Sequence, residues 1–182
     1  AVQNFLSPAV GIAVAFALLR GLASSDGGKL GNFFVDVVRA VLYVLLPLSL
    51  VLALVGVWQG SPQTFQGYEM VQLLEPVSVD AEGALVDADD PTAVQEVTEA
   101  VVPLGPQSSQ VAIKQLGTNG GGFNGANSAS ALENPTPLTN LLQCAAMPLI
   151  PFALVFAFGR MVGDRRQSRA LMTVVLAILA AG

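Results

Sequence analysis

Residues 117–123 have the composition of a segment that binds a cation through its backbone. Four of the seven residues are glycine, and such a run does not form a stable helix, so its carbonyl groups lack partners. Carbonyls of a glycine-rich loop can replace the water around a potassium ion without obstruction by side chains. The candidate ion ligands are Gly117, Thr118, Asn119, Gly120, Gly121 and Gly122. We place the ion itself at Thr118, Asn119, Gly120 and Gly121.

The interpretation of these residues as an ion-selectivity filter competes with three others. A phosphate-binding loop requires a lysine after the glycines, whereas Lys114 precedes them. A dinucleotide-binding fingerprint requires a soluble βαβ unit; Glu133 has a tolerable spacing, but the long apolar segments on both sides are incompatible with that fold. A flexible external turn explains the glycine content as well as a filter does. Composition alone leaves the filter and the turn as open alternatives.

The nine residues before the glycines, 108–116, predict a short helix that presents the candidate filter. At ~1.5 Å per residue this helix is about 13 Å long, roughly half the thickness of a membrane. Ser108 or Ser109 can cap its first turn, and Gly117 can end it. The negative end of its dipole would then point at the glycine-rich segment, which favours a cation there.

The composition indicates a membrane protein. Hydrophobic residues make up 53% of the chain and charged residues 12%. Four apolar segments resemble transmembrane helices: residues 4–19, 33–58, 138–159 and 170–182, the last one incomplete. Pro47, Pro148 and Pro151 predict kinks. Asp36 and Arg39 are three residues apart, so we expect them to neutralise each other near the membrane surface.

The charges are segregated along the chain and orient the segments. Residues 59–110 contain nine acidic and no basic residues, which argues against nucleic-acid binding. Basic residues cluster in residues 20–32, with Arg20 and Lys29, and in residues 160–169, so we expect both regions to be cytoplasmic. One crossing by 138–159 already returns the chain to the cytoplasm. The stretch from 108 to 137 must therefore enter and leave the membrane from the outside, which predicts a re-entrant segment.

Three stretches carry a resemblance to a known family. AIKQLGTNGGGF at 112–123, ANSA at 126–129 and ENPTPLTN at 133–140, in this order and spacing, resemble the second filter repeat of the A subunit of the Kdp potassium-transporting ATPase. AVQNFL at 1–6 and GNFFVDVVRAVLYVLLPLSL at 31–50 also match the layout of that subunit. The resemblance covers nearly the whole chain. Since an apolar run is cut at residue 182, we interpret the chain as an internal fragment.

This resemblance implies an all-α, polytopic membrane protein. Its architecture would be the repeat of helix, re-entrant pore loop and helix found in the potassium channel and Trk-like superfamily. The implied parts are the last helix of repeat one with a cytoplasmic loop (1–32), repeat two (33–163), and a cytoplasmic loop with the start of the repeat-three helix (164–182). Repeat two would comprise a helix (33–58), an extracytoplasmic loop (59–107), the pore helix (108–116), the filter (117–123) and a second helix (138–159).

The resemblance also implies a function. The family's A subunit selects potassium from outside the bacterial plasma (inner) membrane, with residues 59–137 on the extracytoplasmic side. It passes the ion to a P-type ATPase catalytic subunit (KdpB-like), beside KdpC-like and small KdpF-like accessory subunits and membrane lipid. The chain lacks a DKTGT-like motif, so we predict a non-catalytic subunit whose substrate is K⁺, without an organic cofactor. The alternatives are a stand-alone potassium channel or Trk-like transporter, and a structural membrane subunit.

The same resemblance assigns supporting roles around the filter to Phe123, Asn127 and Lys114. Lys114 would have a fixed partner, either Glu133 or another subunit, and Glu133 would begin the turn into the next helix. Asn124, Gly125 and residues 130–132 depart from the usual family pattern. These departures bear on the packing behind the filter, and the ion-facing carbonyls need not change.

Overall fold

A computed structural model describes residues 2–24, 30–87, 91 and 93–181. Lys29, one of the basic residues assigned to the cytoplasm, lies outside the described residues. The chain forms two compact units, one of residues 1–61 with 107–182 and one of residues 62–106. The first unit is helical, and the second is a small β-sheet.

Three helices of the first unit are long and apolar enough to cross a membrane. They are α1 (Val2–Ala23), the continuous helix Phe33–Trp58, and α5 (Pro137–Met161). The second of these consists of α2 (Phe33–Arg39), a π-helical segment (Ala40–Leu45) and α3 (Leu46–Trp58). The π-helical segment ends just before Pro47, whose ring nitrogen cannot donate a hydrogen bond. The distortion predicted at Pro47 therefore occupies the preceding turns.

The helices pack through small and branched apolar side chains. Ala9 and Ile12 of α1 lie in one buried cluster with Ala40, Leu45 and Ile150. Small residues allow helix backbones to approach closely, which is how helices associate in membranes. Many large apolar side chains point outward instead, including Leu18, Leu50 and Leu141. This distribution fits a lipid environment better than an aqueous one.

The expected pairing of Asp36 with Arg39 is wrong. The guanidinium of Arg20, on α1, binds both carboxylate oxygens of Asp36, with 3.0 Å between Nη2 and Oδ1. The same guanidinium donates to the carbonyl oxygen of Leu30 at 2.9 Å. The planar guanidinium of Arg20 matches both carboxylate oxygens of Asp36 at once. Arg39, on the same helix as Asp36, does not pair with it in this way. This ion pair therefore joins α1 to α2.

The basic region at 160–169 is mostly helical, which also differs from expectation. Arg160 lies in the last turn of α5, and α6 (Arg165–Ala181) begins five residues before the predicted apolar segment. Only residues 162–164 connect the two helices. Pro148 and Pro151 lie within α5 without ending it.

The second unit corrects the all-α prediction. Strands β1 (Tyr68–Val79), β2 (Leu85–Val86) and β3 (Gln95–Pro103) form an antiparallel sheet in the order β2-β1-β3. Tyr68 pairs with Pro103 and Val79 with Gln95, with a register shift between Gln72 and Val77. The described chain is thus mostly helical, and this sheet is the larger of its two sheets.

Candidate functional site

The candidate site is built on α4 (Gln107–Leu116), which coincides with the short helix predicted before the glycines. Ser108 does not cap this helix, because the helix already begins at Gln107. Its hydroxyl instead donates to the carbonyl oxygen of Ala53 on α3, at 2.7 Å. A side chain on Gly56 would overlap the Ser108 hydroxyl. A glycine on α3 therefore lets α4 lie directly against it.

The predicted filter residues form a compact turn at the end of α4. Thr118 and Gly120 have positive φ angles of 53° and 78°. Gly121–Gly122 (β4) then pairs with Gly125–Ala126 (β5) in a two-residue ladder. Thr118, Gly121 and Phe123 are exposed, whereas Gly117 is buried. The six candidate ligands are thus contiguous on a sharply folded backbone, as glycine's conformational freedom allows.

Several carbonyls of the candidate filter accept hydrogen bonds inside this chain. The carbonyl of Asn119 accepts from the amide of Gly121 at 3.0 Å, and that of Gly120 accepts from the amide of Asn127 at 2.7 Å. The Thr118 hydroxyl donates to the carbonyl of Gly117 at 2.7 Å. A carbonyl oxygen has two lone pairs, so each retains one for an ion. Asn127 therefore supports the segment through its backbone.

A buried ion pair lies directly behind the glycines. The ammonium of Lys114 donates to Oε2 of Glu133 at 2.8 Å, and the two side chains are 0% and 1% exposed. The other carboxylate oxygen accepts from the backbone amides of Phe123, at 2.8 Å, and Asn124, at 3.1 Å. Glu133 was predicted as a turn residue and as one possible partner of Lys114. It also holds the backbone that follows the glycines, a role the sequence did not indicate.

The environment of Glu133 favours its charged form. Burial raises the pKa of this carboxyl, but the hydrogen bond from Lys114 and the amides of Asn124 and Phe123 outweigh burial and bring the pKa below its usual range. The charge of Lys114 is therefore matched by a full negative charge at neutral pH. Gly122 is part of this arrangement, because a Cβ there would overlap the Lys114 ammonium and lie 2.9 Å from Oε1 of Glu133.

Further polar side chains form hydrogen bonds around the Lys114–Glu133 pair. Gln115 donates to the hydroxyl of Ser128 and to Oε1 of Gln143, both at 3.0 Å. Gln143 in turn donates to the carbonyl of Glu133 at 2.9 Å. Asn124, one of the departures from the family pattern, donates to Oε1 of Gln107 at 2.7 Å. These residues were not predicted as site residues, since isolated glutamines carry no local signal of their contacts.

The beginning of α1 contacts the candidate filter from the other side. The side-chain amide of Asn119 donates to the backbone carbonyl of Asn4 at 2.9 Å, and the Asn4 side chain donates to the carbonyl of Gly121 at 3.5 Å. A Cβ on Gly117 would lie 2.6 Å from that Asn4 carbonyl and 3.1 Å from Cγ of Pro8. The sequence predicted Asn119 and Gly117 as ion ligands but missed Asn4, which lies over a hundred residues earlier.

Comparison with known proteins identifies relatives of this chain. A family model described as "Potassium-transporting ATPase A subunit" matches residues 1–182. The chain is 56% identical over 180 residues to the potassium-transporting ATPase potassium-binding subunit of Solidesulfovibrio magneticus, covering 99% of this chain and 31% of the relative. It is 53% identical to the subunit of the same name from Desulfovibrio desulfuricans, covering 98% of this chain and 28% of that one. The subunit of this name from Pseudomonas entomophila is 51% identical, with coverage of 100% and 28%.

These relatives are named for binding potassium, in agreement with the prediction of a non-catalytic subunit. The chain spans less than a third of the length of each of the three.

Proposed function

Because the chain belongs to the family of potassium-transporting ATPase A subunits, we propose that it contributes one strand of a potassium selectivity filter, formed by residues 117–122. The other strands come from the remainder of a full-length protein. In that protein the ion enters from the extracytoplasmic side of the bacterial plasma membrane. It then passes to a KdpB-like P-type ATPase subunit, which hydrolyses ATP, beside KdpC-like and KdpF-like accessory subunits.

The observation that carries this proposal is the position of the glycines at the carboxyl end of α4. With 10 residues, α4 is about 15 Å long and cannot cross a membrane. Irregular backbone within a membrane is tolerated only where protein buries it or where it lines a water-filled path. The negative end of the α4 dipole and the free carbonyl lone pairs both favour a cation at this point.

The Lys114–Glu133 pair supports a cation site at the filter. An unpaired ammonium behind Gly122 would repel potassium, since charges a few Å apart interact strongly away from water. The carboxylate at 2.8 Å cancels most of that field. Lys114 and Glu133 therefore hold the filter backbone without adding net charge, and the ion is bound by neutral oxygens.

We propose the following sidedness: residues 59–137 are extracytoplasmic, and residues 20–32 and 160–169 are cytoplasmic. Two cysteine variants of the full-length protein, with Cys144 removed, test it. Glu82→Cys, in the β1–β2 turn, is expected to react with a membrane-impermeant thiol reagent added to intact cells. Gln167→Cys, on α6, is expected to react only after the membrane is permeabilised. Both positions are exposed, so accessibility within the fold does not bias the comparison. Labelling in the opposite pattern would refute the re-entrant arrangement.

Gly121→Ala is the sharpest test of the filter. Apart from its chain neighbours, no atom of the described residues lies within 4 Å of a Cβ at Gly121, so alanine fits here. In a filter, the methyl group would instead crowd the neighbouring strands and displace a carbonyl ligand. We expect the potassium concentration for half-maximal uptake by the full-length complex to rise by about tenfold, with stronger competition from sodium and rubidium.

Gly67→Ala is the matched control, because its Cβ also meets nothing within 4 Å and it lies in the sheet unit. It is expected to leave uptake unchanged. Gly120→Ala should impair uptake too, but the φ of 78° at Gly120 adds backbone strain of ~1–2 kcal/mol to that variant. Impaired uptake would therefore not distinguish a displaced ion ligand from a strained backbone. Normal potassium affinity and selectivity in Gly121→Ala would mean that the segment is a structural turn.

A further inference from the structure

Three arginines line a cavity beside the turn between α5 and α6. Its volume is about 340 Å³, and its lining comprises Phe156, Arg160, Arg165, Ser168 and Arg169. Residues four apart share a helix face, so Phe156 and Arg160 present one face of α5 while Arg165 and Arg169 present one face of α6. Three arginines from the two helices therefore line the same cavity.

Close packing of the two helices fixes this arrangement. A Cβ on Gly159 of α5 would overlap the side chain of Ser168 and lie 3.2 Å from the carbonyl of Asp164. Ser168 is buried, and its hydroxyl donates to the carbonyl of Arg165 at 3.1 Å. Gly163, with φ of 77°, allows the tight connection. The arginines are therefore attached to a rigid hairpin.

The positive charge of the cavity has no counterion within the part of the chain that the structure describes. The two ion pairs found there involve Arg20 and Lys114. Asp164 is the nearest carboxylate in sequence, and its Oδ1 accepts from the backbone amide of Arg166 at 2.7 Å. The first turn of α6 adds the positive end of a helix dipole. Three like charges in one concavity favour an anion as the missing partner.

We propose that this cavity binds the phosphate group of an anionic phospholipid. Guanidinium groups match phosphate oxygens in a two-pronged geometry, and basic pockets between membrane helices are suited to lipid headgroups. Phe156 indicates a lipid and not free phosphate, because it is 54% exposed and lies one turn along α5 from Arg160. Leu176 and Leu179, which share the face of Arg165 and Arg169, continue an exposed apolar surface along α6. An acyl chain can lie on these side chains while the arginines hold the phosphate.

The test measures phosphatidylglycerol binding to the full-length protein in its complex by native mass spectrometry. Arg160→Gln, Arg165→Gln and Arg169→Gln are each expected to weaken binding about fivefold, the factor that one basic residue near an anionic headgroup contributes. Arg166→Gln removes the same charge from the same helix but lies outside the cavity lining, so it should change binding by less than about twofold. Phosphatidylcholine with identical acyl chains should bind weakly to every variant.

Four results would overturn the proposal. Equal losses in Arg166→Gln and the cavity variants would indicate general attraction to a basic surface. Equal binding of phosphatidylcholine, or no loss in any cavity variant, would exclude a headgroup site there. Displacement of phosphatidylglycerol by millimolar inorganic phosphate would assign the cavity to a soluble anion. None of these results depends on the potassium filter, because potassium uptake is measured separately.

Discussion

Glu133→Gln is expected to cost the full-length protein about 3–5 kcal/mol of folding stability, because it leaves the Lys114 ammonium buried and unpaired. Lys114→Met should also destabilise, since the carboxylate then loses its cation while still accepting two backbone amides. Thermal or denaturant unfolding of the purified protein measures both effects. Because the pKa of Glu133 is lowered, this stabilisation is present at neutral pH and is lost only as the pH falls through that lowered pKa.

The double variant Lys114→Met with Glu133→Gln distinguishes loss of the ion pair from destabilisation that each substitution causes by itself. It removes both charges, and Oε1 of the new glutamine can still accept the amides of Phe123 and Asn124. We expect it to be more stable than either single variant, with a coupling energy of at least ~1 kcal/mol. Glu96→Gln, the same chemical change at an exposed position of β3, is the control and should be neutral. Simple additivity of the two single effects would show that the ion pair does not stabilise the filter.

Gly117→Ala is expected to have the second largest effect, because its methyl group would overlap the side-chain amide of Asn119 and would also meet the backbone of α1. The Asn4 carbonyl oxygen at 2.6 Å cannot move without displacing the first turns of α1. The contact between Asn119 and that carbonyl would also be lost. We expect destabilisation of about 1–3 kcal/mol, the usual cost of overpacking a close contact, together with weaker potassium uptake.

Gly121→Ala is the matched control for stability, since it adds the same methyl group four residues later in open space. It should unfold with the wild-type midpoint while still altering ion selectivity. The two alanine variants therefore separate a glycine needed for packing against α1 from a glycine needed at the ion path. Equal stability of the two proteins would show that α1 does not lie against Gly117 in the full-length protein.

The sheet of residues 62–106 was not predicted from the sequence. The sequence predicted residues 59–107 only as an extracytoplasmic loop, although they contain the strands β1 and β3. A strand is stabilised by a partner, and β1 finds β3 across a connection that no local pattern specifies. The all-α prediction failed for this reason, although the three helices long and apolar enough to cross a membrane were predicted, the first of them six residues too short.

The sequence by itself determined the apolar helices, the half-length helix α4 and the glycine segment at its end, because these depend on hydrophobic length and backbone freedom along consecutive residues. Only the tertiary structure decided which groups meet. Asp36 binds Arg20 on another helix, Ser108 binds Ala53, Asn119 reaches Asn4, and Glu133 holds both Lys114 and the amide of Phe123. Most of these partners are far apart in sequence, and hydrogen bonds are satisfied by whichever polar group the packing of helices brings within about 3 Å.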